Sequence, residues 1–207
     1  MRNINEILKI LKLNYPKPIV GLNHQSAFEL LISTILSAQC TDLRVNQVTP
    51  SLFKKYPNPK KLSVAKIKDV EKIIHSTGFY RAKSKNIIAC SKSLVNNFDS
   101  VVPNSMDKLI ELPGVGRKTA NCVLSTYYKI FEGVVVDTHV KRISNLLGLT
   151  KNSSPEKIEI DLMKIIPKGD WGYYSNALIS HGRAICTARN PKCTICPAKN
   201  LCPSAKI

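Results

Sequence analysis

Apolar and polar residues alternate along most of this chain with the period of about 3.6 residues that is typical of α-helices. Near the N-terminus, one helical face carries four apolar residues: Ile4, Ile7, Leu8 and Leu11. This pattern predicts a short helix that ends before Pro16 and packs its apolar face onto the body of the protein. An amphipathic helix lying on a membrane surface is the alternative interpretation.

Capping and turn residues mark the limits of further predicted helices. Ser26 and Glu29 form a capping box in front of LLISTILSAQ, and Ser63 precedes a helical run that ends at Gly78. Other helices are predicted over 82–98, over 105–112, from near Gly116, and from Ser154 with Pro155 in its first turn. The one strand-like run, GVVV at 133–136, is too short for a sheet, so the predicted fold class is all-α.

The charge of the chain is strongly unbalanced. The 207 residues include 31 Lys and Arg but only 14 Asp and Glu, which gives a net charge of +17. This excess favours a polyanionic partner, either nucleic acid, whose phosphates release counterions on binding, or an anionic membrane surface. Because the sequence shows neither an apolar run of about 20 residues nor a signal-peptide core, we expect a cytoplasmic protein that does not span a membrane.

The stretch LPGVGRKTAN, residues 112–121, predicts a tight turn between two helices. Pro113 suits the second position of a type II turn, and Gly114 suits the third, where a positive φ is required. Backbone amides at the start of the second helix would then bind a phosphate without reading the base sequence. The DNA-contacting residues predicted in this hairpin are Gly114, Val115, Gly116 and Arg117.

Lys118 follows in the first turn of the second helix, where a cation is electrostatically unfavourable. An unperturbed lysine is almost wholly protonated at neutral pH and therefore cannot attack a carbon atom. Destabilising the ammonium form would free a nucleophilic amine. The alternative is that Lys118 only contacts a phosphate, as Arg117 could.

Asp137 follows three valines and begins another predicted helix, so its ordinary role would be that of an N-cap. A carboxylate carried towards an apolar interior could instead face Lys118, where it would accept a proton or stabilise positive charge on a reacting sugar. The nearby His139 is interpreted as a packed or hydrogen-bonded residue, because nothing else in the sequence marks it as a ligand or a base.

The C-terminal segment CTARNPKCTICPAKNLC contains four cysteines: Cys186, Cys193, Cys196 and Cys202. In a chain expected to be intracellular, clustered thiolates indicate a metal centre rather than two disulfides. Spacing alone does not separate tetrahedral zinc from a [4Fe–4S] cluster, since both accept four thiolates. The other cysteines are expected to be buried thiols: Cys40, Cys90 and Cys122.

Together these residues resemble the endonuclease III family of DNA glycosylases. The similarity runs from about residue 22 to residue 203 through LLISTILSAQCTD, STGFYRAKSKNI, LPGVGRKTANCVL, VVVDTHVKRISNLLGL and HGRAICTARNPKC. It implies a two-lobed helix-hairpin-helix fold with DNA bound between the lobes. It also implies a [4Fe–4S] cluster in the loop 186–202 in place of zinc. The implied domains are a six-helix domain at 22–133 that includes the hairpin 105–131, and a second helical domain formed by 1–21 and 134–207.

The resemblance also implies the reaction. Lys118 matches the family's nucleophilic lysine and Asp137 its essential aspartate, so the chain would remove oxidised pyrimidines from duplex DNA through a flipped nucleotide and a lysine Schiff base. It would then cut the abasic strand 3′ to the site by β-elimination. The alternative enzyme is a monofunctional adenine or mismatch glycosylase, whose members generally lack this lysine. The alternative outside enzymes is a DNA-binding module without catalysis.

Two further positions match family residues that enter the gap left by the flipped nucleotide, Gln39 and Phe79. The alternatives are a hydrogen bond at a helix end for Gln39 and burial in the core for Phe79. Leu146 departs from the family pattern, which often has arginine there, and this would remove a polar contact near the cleft. The expected partner is damaged double-stranded DNA, and the expected state is a monomer.

Overall fold

The computed structural model describes residues 4–18 and 21–206. Within these ranges the chain forms α-helices joined by turns and short 3-10 or π-helical segments, with no β-strand, which confirms the all-α prediction. None of the helices in this part of the chain is long and apolar enough to cross a bilayer. The helices are α1 (Ile4–Asn14), α2 (Ala27–Leu36), α3 (Asp42–Lys55), α4 (Pro59–Ser63), α5 (Ile67–Ile74), α6 (Tyr80–Asn97), α7 (Met106–Ile110), α8 (Arg117–Val123), α9 (Thr138–Leu146), α10 (Pro155–Ile165) and α11 (Trp171–Ala184).

The chain separates into two compact units. One comprises Gly21–Glu132 and is called the hairpin unit here; the other comprises Met1–Val20 with Gly133–Ile207 and is called the cysteine unit. Residues 1–3, 19–20 and 207 of the cysteine unit lie outside the described residues. That the predicted segments 22–133 and 1–21 with 134–207 act as separate domains stays a prediction.

Helix α2 forms the centre of the hairpin unit. Its residues are buried on almost every side, and it contacts α3, α6 and α8, as a helix that is apolar all round requires. The predicted capping residues begin this helix: the Ser26 hydroxyl accepts a hydrogen bond from the Glu29 N–H at 3.1 Å. The Glu29 carboxylate in turn accepts one from the Gln25 N–H at 2.7 Å, so the helix start is fixed from both directions.

The helix start predicted at Ser63 is wrong. Ser63 is the last residue of α4, and its hydroxyl donates to the Lys60 carbonyl at 2.8 Å. The stronger start signal lies upstream, where the Asn58 side chain accepts from the Lys61 N–H at 3.0 Å and a proline occupies the first helical position. Helix α5 follows from Ile67 without a side-chain cap.

In the cysteine unit, α1 and α9 both pack against α11. Helix α1 buries Ile7, Leu8 and Leu11, which confirms the interpretation of the N-terminal helix as a packed element. Helix α9 approaches α11 closely, since a Cβ added to Gly182 would overlap the ring of His139. These contacts place the start of α9, and hence Asp137, on a rigid helical support.

Candidate functional site

The hairpin between α7 and α8 has the predicted turn geometry. The Val115 N–H donates to the Leu112 carbonyl at 3.0 Å, and Gly114 has a φ of +78°, as the third position of a type II turn requires. A Cβ added to Gly114 would also lie 2.9 Å from the Cβ of Asn86 in α6. Both the backbone conformation and the packing therefore require glycine at this position.

Gly116 is under a different constraint. It is the N-cap of α8 with a φ of −93°, which any residue can adopt, and a Cβ added there would meet no atom within 4 Å. No side chain caps the first turn of α8. Nothing described in the chain itself requires glycine here, and the absent side chain leaves room for an approaching molecule.

Lys118 is exposed in the first turn of α8, one helical turn before Cys122. Burial raises the pKa of the Cys122 thiol, while hydrogen bonds from Thr34 and Thr126 and the positive charge of Lys118 lower it in part. The Cys122 sulfur lies 3.9 Å from the Thr34 hydroxyl oxygen. The Lys118 amine thus reaches solvent on one side and has a neutral, half-buried thiol as its neighbour on the helix.

Gln39 and Phe79 share an unusual backbone conformation. Both are left-handed, with φ values of +53° and +46°, although neither is glycine. Both side chains are exposed, and Phe79 has 68% of its surface accessible, so the alternative of a core position for Phe79 is wrong. Strained backbone and an exposed aromatic ring at one position are features that cluster at binding sites.

Asp137 lies in the cysteine unit and caps α9. Its Oδ1 accepts a hydrogen bond from the Val140 N–H at 2.8 Å, and within the described residues Oδ2 makes none. His139 lies one helical turn from Arg142, with 3.4 Å between its Nδ1 and the guanidinium nitrogen, and it packs on Gly182. This confirms the interpretation of His139 as a packed, hydrogen-bonded residue.

The four C-terminal cysteines line one cavity of about 220 Å³. Its wall includes Arg142, which donates to the Cys186 carbonyl at 2.6 Å and lies 3.5 Å from the Cys186 sulfur. The Cys196 sulfur lies 3.6 Å from a ring nitrogen of His181. Burial is the main cause that raises the pKa values of the Cys186 and Cys196 thiols, and the neighbouring cysteine sulfurs raise them further.

Leu146 belongs to the wall of this cavity. Its carbonyl oxygen lies 3.5 Å from the Cys202 sulfur, and its side chain is half-buried. Leu146 therefore contributes an apolar side chain to the lining of the cysteine cavity. That a leucine here removes a polar contact near a DNA cleft stays a prediction.

Among the described residues, no group of three or more His, Cys, Asp or Glu is arranged to hold a metal ion. The four thiols still line the same cavity.

Of the other three cysteines, Cys90 alone is fully buried within the described residues, and burial raises its pKa to about 12. Cys40 is only half-buried, so the prediction of a buried thiol is wrong for it. Cys122 is partly accessible as a residue, but its thiol is buried enough for burial to raise its pKa. Cys40 lies in the turn between α2 and α3, just before the Thr41 cap of α3.

Two comparisons with known proteins decide the family. Residues 32–168 match the HhH-GPD superfamily of base excision DNA repair proteins. Endonuclease III of Synechocystis sp. (strain ATCC 27184 / PCC 6803 / Kazusa) is 53% identical over 201 residues, which cover 97% of this chain and 92% of the relative. The chain belongs to the endonuclease III family. It is accordingly a base excision DNA repair enzyme, a DNA glycosylase with lyase activity at abasic sites.

Solved structures of endonuclease III proteins have the same fold. A non-covalent Endonuclease III–DNA complex matches with a TM-score of 0.92 and 41% identity, covering 98% of this chain and 94% of that chain. A trapped Endonuclease III–DNA covalent intermediate, an estranged-adenine complex, matches with a TM-score of 0.92 and 40% identity, covering 99% and 98%. One relative of this endonuclease III chain has thus been captured while covalently joined to DNA.

The hairpin unit contains most of the candidate residues: Gln39, Phe79, Gly114, Val115, Gly116, Arg117 and Lys118. Asp137 and the four clustered cysteines belong to the cysteine unit. Sequence reasoning missed one unusual residue in this endonuclease III chain, the buried Lys83 in α6. Lys83 shares a helical face with Ile87, but a lysine is ordinarily exposed, so no signal in the sequence marks it as buried.

Proposed function

We propose that this chain removes oxidised pyrimidines from duplex DNA and then cuts the abasic strand on the 3′ side of the lesion. The observation that carries the proposal is the exposed amine of Lys118 in the first turn after the hairpin. The covalent DNA complex captured for a 40% identical relative supports a nucleophilic rather than a purely hydrolytic reaction. The chain would act as a monomer in the cytoplasm, associated with the nucleoid through DNA.

In this proposal the nucleophile is the neutral amine of Lys118. A bond forms between its Nζ and the deoxyribose C1′ while the glycosidic bond breaks, and the departing base takes the bonding electrons. Loss of a proton and opening of the sugar ring leave a Schiff base. Removal of a proton from C2′ then breaks the bond between C3′ and its oxygen, and the 3′ phosphate leaves with the bonding electrons. Water hydrolyses the Schiff base, which releases the shortened strand and restores the amine.

The proposed role of Asp137 is electrostatic and acid–base. Its carboxylate stabilises the positive charge that develops on the sugar as the base departs, and it accepts a proton released in the reaction. The bond from the Val140 N–H to Oδ1 holds the group in place, and Oδ2 stays available for this chemistry. We propose that Lys118 and Asp137 act on the same damaged nucleotide.

The proposed DNA contacts divide into two kinds. Residues Gly114 to Arg117 bind the phosphate backbone through the amides of the hairpin and the Arg117 charge, supported by the net charge of +17. Gln39 and Phe79 enter the space left by the flipped nucleotide, which offsets part of the cost of unstacking it. Their exposed side chains and left-handed backbones support this role.

We propose that Cys186, Cys193, Cys196 and Cys202 hold a [4Fe–4S] cluster. The four thiols line one shared cavity of about 220 Å³, and four thiolates are the ligand set of such a cluster. The cluster would supply cross-links within the loop 186–202, which has little regular structure of its own. No step of base removal or strand cleavage is assigned to it, and zinc is the alternative.

Borohydride trapping tests the reaction. The protein is mixed with duplex DNA carrying one oxidised pyrimidine, the Schiff base is reduced, and the attachment site is mapped by mass spectrometry. An adduct at Lys118 that is lost in Lys118→Ala supports the proposal. Base release without an adduct would identify a monofunctional glycosylase, and binding without base release would identify a non-catalytic module.

A further inference from the structure

Lys83 is a buried lysine in the hairpin unit. Only 4% of its surface is accessible, although it lies in α6 two residues before the exposed Lys85. Burial lowers the pKa of its amine, because the charged form loses contact with water. Such a position is costly for a lysine, and no carboxylate of the described residues lies within ion-pair distance of it.

The Lys83 side chain is tied to the bend that precedes α6. Its Nζ donates to the Thr77 carbonyl at 2.7 Å, and its backbone N–H donates to the Phe79 carbonyl at 3.0 Å. Between these two acceptors lies Gly78, with a φ of +68° and a ψ of 154°, followed by the left-handed Phe79. The backbone bond is the ordinary first bond of α6, so the specific contribution of the Lys83 side chain is to tie the carbonyl before the bend to the helix that follows it.

We infer that Lys83 is a positioning residue, which holds Phe79 in the conformation from which it enters the gap beside a flipped nucleotide. This inference rests on the proposed function for the role of that side chain. Lys83 itself is buried away from solvent, so it acts on DNA only through the bend at residues 77–79. It should therefore affect recognition of distorted DNA and leave the binding of intact duplex unchanged.

The test compares Lys83→Met with Lys85→Met. Methionine keeps an unbranched apolar stem in the buried position but leaves the Thr77 carbonyl without its donor. We expect Lys83→Met to weaken binding to duplex DNA with a stable abasic-site analogue about tenfold, the effect of losing one hydrogen bond to a charged group. The binding of Lys83→Met to undamaged duplex should not change. Lys85→Met, which alters an exposed residue, should weaken binding to both DNAs to the same small extent.

Hydrogen exchange on the free protein gives a second readout that does not depend on DNA. Lys83→Met should speed exchange of the amides at residues 78–80, and Lys85→Met should not. The two hypotheses can fail separately. If Lys83→Met exchanges faster but the wild-type protein binds both DNAs equally, the positioning role stands and the proposed function is rejected. Unchanged exchange, or an equal loss of binding to both DNAs, would overturn the positioning role.

Gly78→Ala decides the case if Lys83→Met does not fold. A Cβ at Gly78 meets nothing within 4 Å, so the substitution strains only the backbone of the bend. We expect the same selective loss of binding to abasic-site DNA. Wild-type selectivity in this variant would show that the conformation of the bend is unimportant, and the inference would then fail. Lys83→Arg keeps a donor for the Thr77 carbonyl, so wild-type selectivity for abasic-site DNA in this variant would support the inference.

Discussion

Gly114 and Asn86 are packed so closely that a Cβ added to the glycine would lie 2.9 Å from the Cβ of the asparagine. Asn86 belongs to α6, the longest helix of the hairpin unit. The contact therefore packs the turn at residues 112–115 against α6 of the same unit. The φ of +78° at Gly114 is a second and independent reason for glycine at this position.

Gly114→Ala should destabilise the protein because it adds both backbone strain and an overlap with Asn86. We expect the free energy of unfolding to fall by about 1–3 kcal/mol in urea denaturation. Gly116→Ala is the matched control, since its φ of −93° and open surroundings predict a change within about 0.5 kcal/mol. Equal losses of stability in the two variants would contradict this account of the turn.

Asp137→Asn should separate catalysis from stability. Asparagine can accept the same hydrogen bond from the Val140 N–H and is as good an N-cap as aspartate, so the free energy of unfolding should change little. The lost carboxylate should slow single-turnover strand cleavage by about 10²–10⁴-fold.

Ser154→Ala provides the control for Asp137→Asn. It removes the cap that accepts from the Lys157 N–H at the start of α10, at a cost of about 1 kcal/mol, without touching a proposed catalytic group. Cleavage should persist in this variant. If it were lost there to the same degree as in Asp137→Asn, a general loss of stability rather than the carboxylate would explain both results.

Cys202→Ala should remove bound iron together with the visible absorption of the protein. The loop 186–202 loses one of its four proposed ligands, so the thermal unfolding temperature should also fall. Cys90→Ala is the control, because it removes a fully buried thiol of the hairpin unit and should leave the iron content unchanged. A colourless wild-type protein with stoichiometric zinc by elemental analysis would reject the cluster.

Arg117→Ala should weaken binding to damaged and undamaged duplex equally, because a phosphate contact carries no information about the base. A plot of log affinity against log salt concentration should become shallower by about 1. Phe79→Ala should behave differently, with weaker binding to abasic-site DNA and an unchanged salt slope. An unchanged slope in Arg117→Ala would show that this side chain does not contact phosphate.

Local signals in the sequence were reliable where short-range chemistry decides the conformation. The cap at Ser26, the positive φ at Gly114 and the cap at Asp137 depend on neighbours within four residues, and all three are present in the structure. The prediction at Ser63 was wrong because two start signals compete within six residues. Asn58 with a following proline begins the helix first, and Ser63 then falls at its end.

Long-range packing explains what sequence reasoning could not supply. The exposure of Phe79, the partial burial of Cys40 and the position of Leu146 in the cysteine cavity depend on which helices meet. Lys83 is the clearest example. A lysine in a charged helix is ordinarily on the surface, and only the packing around α6 makes this one a buried donor for the Thr77 carbonyl.

The residue order alone was sufficient for the all-α class, the family, the hairpin turn and the candidate chemical groups at Lys118, Asp137 and the four cysteines. Each of these depends on helical periodicity, backbone preferences or motif spacing, which are properties of neighbouring residues. Tertiary packing alone decided which helices line the cavity of the four cysteines, that Gly114 abuts Asn86, and that Lys83 is buried with its amine on the Thr77 carbonyl. Such contacts join residues far apart in the chain, and their burial and partners are set only when the helices pack together.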